Sequence, residues 1–188
     1  MKLKHIVLFG LVLMLAMPAF SQVEMKGVTM KSEVTREGKT LVWNGAGVRK
    51  KWFFDLYVGA LYLPQKISSG SMIIKGDQPM MIQLNIISDL ITSEKMIDAV
   101  TEGFDKATGG NTAPIQKEID MMIETFKDDI KDGDVFELIY LPGEGVKAYK
   151  NGKVGATVPG MAFKEALFGI WLGDDPASDD LKDGMLGK

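Results

Sequence analysis

The sequence contains no cysteine, and its one histidine, His5, lies close to the start. The first absence excludes disulfides, thiol nucleophiles and a lipid-modified cysteine behind an N-terminal leader. The second, once a leader is removed, leaves no imidazole for a Ser-His-Asp triad, for His-ligated zinc or for acid–base work near neutral pH. Arginine is nearly as scarce, with Arg36 and Arg49 the only two. Acidic groups do cluster at Asp128-Asp129, at Asp132 with Asp134, and at Asp174-Asp175. They lack the spacing of a calcium loop, and solvated element ends account for them. No metal and no cofactor are expected.

What is present begins with a leader. Lys2 and Lys4 precede an almost uninterrupted apolar run over 6–17, and Pro18-Ala19-Phe20-Ser21 supplies small residues before a cut ahead of Gln22. That is the pattern of a cleaved signal peptide over 1–21, too short to span a bilayer comfortably and with no stop-transfer segment behind it. An uncleaved anchor is the alternative. The expected location is periplasmic or secreted, with residues 22–188 forming one domain and no stable membrane span after cleavage. Loss of the leader takes the formal charge from −3 to −5. Such a surface repels phosphate backbones, and the one basic run, Arg49-Lys50-Lys51, is too short to argue for nucleic acid.

Hydrophobic patterning gives strands over 28–34 and 39–43 around the polar turn Arg36-Glu37-Gly38, then a bend or close backbone approach at Asn44-Gly45-Ala46-Gly47. Further strands are expected over 52–63, 71–75 and 80–87. A helix opens at Thr92 or Ser93 and runs to about Lys106, with Glu94 in its first turn. A second begins near Thr112 with Pro114 in its first turn and Ile115, Ile119, Met122, Ile123, Phe126 and Ile130 on one face. Strands over 135–141 and 146–150 follow, and Asn151-Gly152 is the two-residue hairpin signal before a strand over 153–158. A helix over 161–172 stops at Gly173, and Ser178 caps a last short one. The order makes an α+β domain with a largely antiparallel sheet.

Few residues can carry chemistry. The glycines at 45 and 47 have neither the Gly-Lys-Ser/Thr of a phosphate loop nor the third glycine of a dinucleotide fingerprint. Arg36 sits in a polar turn and is expected in solvent. Arg49 lies in an apolar, aromatic stretch, where a buried guanidinium has to be paired, either with a local acid such as Asp55 or Glu94 or with a ligand carboxylate. Tyr57 and Tyr62, on odd and even positions of one strand, should face opposite sides of the sheet. The 13 methionines are core filler that would also suit a flexible alkyl chain.

Gly45-Ala-Gly-Val-Arg49, then Tyr57-Val-Gly-Ala-Leu-Tyr-Leu63, and the ending Ala166-Leu-Phe-Gly-Ile-Trp-Leu-Gly-Asp174 with Leu181-Lys-Asp-Gly-Met-Leu-Gly187, resemble the chalcone-isomerase superfamily, in particular its bacterial exported members. The resemblance implies a chalcone-isomerase-like open-faced β-sandwich, a large antiparallel sheet covered by a helical layer with a ligand cleft between. Arg49 matches the arginine that assists ring closure in the plant enzymes. Their other polar groups do not carry over. A strand threonine is replaced by Tyr57, the tyrosine opening the first long helix falls at Thr92, an asparagine falls at Ala99, and a later threonine falls at or beside Ile170.

Arginine followed by a strand tyrosine instead resembles the fatty-acid-binding branch of the superfamily. Arg49, Tyr57 and Thr92 are accordingly the expected ligand contacts. The favoured reading is non-catalytic binding of a fatty acid or similar small amphipathic carboxylate. The alternatives are an isomerase or intramolecular lyase with Arg49 as electrophile and Tyr57 as acid or base, and a structural or partner-binding envelope protein. Oligomeric state is left open.

Overall fold

The computed structural model describes residues 22–188, and the expected signal segment lies outside the described residues. The chain opens with a short hairpin, β1 (Gln22–Met25) and β2 (Val28–Lys31), forming a two-stranded sheet of its own. Then β3 (Glu33–Arg36), β4 (Lys39–Lys51), β5 (Phe54–Leu63), β6 (Met80–Ile86), β7 (Val135–Leu141), β8 (Gly145–Lys150) and β9 (Lys153–Val158) build a seven-stranded sheet. Each strand pairs antiparallel with its neighbour in sequence, so the sheet is an unbroken meander. The turn expected at Asn151-Gly152 is present with φ of 51° and 77°, as a type I′ turn requires. Lys26-Gly27 and Glu37-Gly38 use the same left-handed pair.

Alternation along β5 sorts the core into two layers. Tyr57, Leu61 and Leu63 join the cluster under the helices, whereas Val58, Ala60 and Tyr62 join the one beneath the β1–β2 hairpin. The helical layer comprises α1 (Gly70–Lys75), α2 (Ser93–Ala107), α3 (Gln116–Ile123), α4 (Met161–Leu172) and α5 (Asp179–Met185). Phe104, Phe163 and Phe168 are fully buried between helices and sheet, each such burial contributing roughly 1.5–3 kcal/mol.

Several sequence expectations need correction. The strand expected over 28–34 breaks at Ser32, so that one part joins the small hairpin and the other the large sheet. Residues 71–75 form helix α1 rather than a strand. Ser69 caps it by accepting from the Met72 amide (3.4 Å), and the buried Lys164 ammonium donates to its last carbonyls, those of Ile73 (3.2 Å), Ile74 (2.5 Å) and Gly76 (2.6 Å). These tertiary bonds outweigh the strand preference of Ile73 and Ile74. The second helix is not continuous. It runs as a 3-10 turn (Ala113–Ile115), α3 and another 3-10 turn (Glu124–Phe126), and Ile130 lies beyond its end.

Residues 44–47 do not bend the chain. They lie inside β4, with a register shift between Trp43 and Gly45, and serve instead the close backbone approach of α5. A Cβ on Gly47 would stand 2.9 Å from the Leu181 Cα, and one on Gly45 would meet the carbonyl oxygens of Gly184 and Met185. Buried Asn44 latches the same junction by donating to the carbonyls of Met185 (2.8 Å) and Ile67 (3.0 Å).

The 52–63 segment becomes a strand only at Phe54. Trp52 and Phe53 form the two-residue turn joining β4 to β5, and Trp52 adopts φ of 57°. Glycine or asparagine is the usual occupant of that conformation, and a bulky side chain there costs on the order of 1–3 kcal/mol. Arg36 is exposed, as expected, and is also paired: its guanidinium sits 2.8 Å from the buried carboxylate of Glu137 in β7.

Candidate functional site

A cleft of about 480 Å³ opens between the β4–β5 hairpin and helices α2 and α4. Its interior is apolar, with Leu56, Ile91, Met96, Val100, Ile170 and Trp171 among the walls. Size and lining suit a small-molecule pocket, a class spanning roughly 300–1,000 Å³. The space exists because α2 and α4 pack tightly beside it. A Cβ on Gly103 would come within 2.8 Å of Ile170, so the helices meet on a glycine and leave the volume toward the hairpin.

Arg49 and Tyr57 are direct cross-strand partners in β4 and β5, which places both on the helix-facing side of the sheet. Both line the cleft. Arg49 is half-buried and donates from Nη1 to the Lys50 carbonyl at 2.6 Å. Among the described residues it has no acidic partner: Asp55 pairs with Lys26 at 2.9 Å. Of the two arginines it is Arg36, and not Arg49, that an internal carboxylate holds. Tyr57 is buried, and its hydroxyl oxygen accepts from the Trp171 indole N–H at 3.0 Å. Burial pushes its pKa up, while the Trp171 bond and the Arg49 charge pull the other way. The phenol therefore keeps its proton at neutral pH, and that proton can be donated into the cleft.

Lys106 faces Arg49 across the opening. A hydrogen bond donated to Glu102, then the charge of Asp175, hold the Lys106 pKa above the ordinary lysine range, against an opposing push from Arg49. Lys51 and Lys95 add positive charge to the rim, and Asp98 adds a negative one. Ala99 and Ile170, the positions where polar groups of the plant enzymes would fall, form cleft wall instead.

Thr92 is placed differently from the other two expected contacts. It is exposed at the start of α2, outside the cleft lining, and its hydroxyl accepts from the Lys95 amide at 3.3 Å. Its work is that of a helix cap, so Thr92→Ala should lower stability by about 1 kcal/mol, read by urea denaturation. The cleft's Trp171, by contrast, stands in the sequence only as part of the Ala166–Asp174 motif, with no sign of its place at the site. Its indole–phenol bond to Tyr57 joins residues 114 positions apart, and no local pattern announces it.

A family model for chalcone isomerase-like proteins matches residues 22–187. The chain belongs to the chalcone isomerase-like family. Its motif resemblance and its fold agree on this. Among solved structures, a fatty-acid-binding protein of Arabidopsis thaliana is similar to this family member, with a TM-score of 0.70 and 15% identity over 88% of this chain and 96% of that one. At that identity the likeness carries the fold: a curled antiparallel sheet with a helical layer. A search of curated proteins finds no match. No helix among the described residues of this chalcone isomerase-like chain is long and apolar enough to cross a membrane.

Proposed function

We propose that this protein is exported and binds a fatty acid or a similar small amphipathic carboxylate in the cleft, without catalysing a reaction. The carrying observation is Arg49, a guanidinium with no internal acid, at an apolar cleft and directly opposite a protonated tyrosine. A planar fork and an O–H donor together match the two oxygens of a carboxylate. The alkyl chain would lie along Met96, Val100 and Ile170, where thioether and branched walls adapt to its shape. The Arabidopsis thaliana fatty-acid-binding protein with the same fold supports the ligand class. The raised pKa of Tyr57 favours holding a ligand over abstracting a proton from it. Thr92 contributes through the helix it starts.

Native mass spectrometry of the protein recovered from the periplasm tests both parts. The expected result is a chain beginning at Gln22 that carries, or takes up, an alkyl carboxylate. Arg49→Ala should weaken that binding by roughly 10–100-fold, the loss of a charge-assisted bond of about 1.5–3 kcal/mol. An empty protein that also refuses alkyl carboxylates would rule the ligand reading out. Recovery of the intact 188-residue chain from the membrane would rule out the cleaved leader.

A further inference from the structure

The two most exposed large apolar side chains among the described residues, Phe53 and Trp52, are neighbours in the chain. Trp52, Phe53 and Phe54 are 85%, 99% and 53% exposed at the β4–β5 turn, and exposed Leu90 lines the same opening. Isolated surface apolar residues need no explanation, but three consecutive aromatics held at the tip of a long hairpin do. Local backbone preference runs against this arrangement, since Trp52 occupies a left-handed conformation that suits glycine. Rules of local propensity are broken chiefly where a function retains the residue.

The residues leading into the tip, Arg49, Lys50 and Lys51, are all basic. The next acid in sequence, Asp55, is neutralised by Lys26. Lys95 adds another cation on the opposite rim, with its ammonium on the Leu90 carbonyl at 3.1 Å. The molecule as a whole is acidic, with a formal charge of −3, and Asp98, Glu102 and Asp175 line the far side of the opening, the last two against Lys106, so the positive excess is confined to the 49–51 run beside the aromatics. Tryptophan and phenylalanine flanked by lysine are what the boundary between acyl chains and anionic headgroups accommodates.

We propose that the β4–β5 tip is a membrane-docking element that seats the mouth of the cleft on an anionic phospholipid surface. Trp52 and Phe54 line the cleft as well as the tip. Docking there brings the opening against the leaflet, so that an amphipathic ligand passes between bilayer and protein without crossing water. The proposal rests on the ligand reading only for what is exchanged.

The test uses residues 22–188, which contain the whole fold and lack the apolar leader, with vesicles of phosphatidylcholine alone or mixed with phosphatidylglycerol. Trp43 and Trp171 are more enclosed than Trp52, so tip insertion should appear as a blue shift of tryptophan emission together with co-sedimentation on anionic vesicles. The pair Lys50→Glu and Phe53→Ser changes exposed side chains outside the cleft lining. It should reduce partitioning at least tenfold while leaving alkyl-carboxylate binding in solution as in the parent. A parent that ignores anionic vesicles, as it would if the tip met a protein instead, overturns the proposal. So does a double variant that partitions equally well. Failure here with fatty-acid binding intact leaves the ligand reading standing; partitioning by a protein that binds no alkyl carboxylate does the reverse.

Discussion

Gly45→Val is expected to lower stability by about 3 kcal/mol and to release α5 from the sheet. The side chain would press into the Gly184 carbonyl and lie 2.8 Å from where the Met185 carbonyl oxygen now stands. Both obstacles are backbone, so no rotamer change relieves the contact. Overpacking typically costs about 1–3 kcal/mol, and here the simplest escape is to lift the helix. That escape exposes Leu181, Met185 and Leu186, each buried to 3% exposure or less. It also breaks the Asn44 bond to Met185. A fall in melting temperature of roughly 6–12 °C should result. Hydrogen exchange should show 179–187 losing protection before β6, β7 and β8. An unchanged midpoint would mean that α5 does not depend on the glycine track.

Lys164→Met should have an effect of similar size by a different route. The ammonium is wholly buried and supplies hydrogen bonds to three carbonyls at the end of α1. Methionine fills similar volume but donates nothing, and each buried carbonyl left bare costs roughly 1–3 kcal/mol. Relief from burying a charge offsets part of that, leaving a net loss of about 3 kcal/mol, with α1 the first segment to exchange.

The same residue gives a pH signature. Burial pushes the Lys164 pKa down to about 8, with Glu165 and Asp77 pulling it back toward the ordinary 10.5. Between those values the unfolded chain binds more protons than the folded one, so stability rises with pH. The parent should therefore gain on Lys164→Met from about pH 8 to 10.5, and the gap should be flat below pH 8. A gap that shrinks over that window would contradict the assignment.

The fold was legible where local chemistry and tertiary context agree. Asn151-Gly152 dictates its own turn, and parity alone sends Tyr57 and Tyr62 to opposite faces. Thr92 and Ser178 mark the starts of their helices, and Gly173 the stop of the helix over 161–172, without help. Context overrode local preference at 70–75, where Met72-Ile73-Ile74 reads as strand but Lys164, about ninety positions later, completes a helix end. The glycines at 45 and 47 left a bend and a close backbone approach both open, because the backbone they approach lies at the far end of the chain.

The site was legible in its sheet half and hidden in its helical half. Arg49 stood out by scarcity and Tyr57 by position. Whether Arg49 had an acid of its own depended on which carboxylates each arginine reaches, and Arg36 finds Glu137 across 101 positions. Trp171 and the wall formed by α2 and α4 depend on how two helices cross over a curled sheet, which periodicity does not specify.

The tight hairpins β3–β4, β4–β5, β7–β8 and β8–β9 form from residues already adjacent in the chain, whereas β6 and β7 pair only across the segment that carries α2 and α3. The latch between Asn44 and Met185 reaches further still, spanning 141 positions. Its loop cannot close until the final turn of α5 is available. A chain whose 179–187 segment has yet to be synthesised thus remains ajar along β4. Pulse-labelled exchange should find 179–187 the last segment to acquire protection.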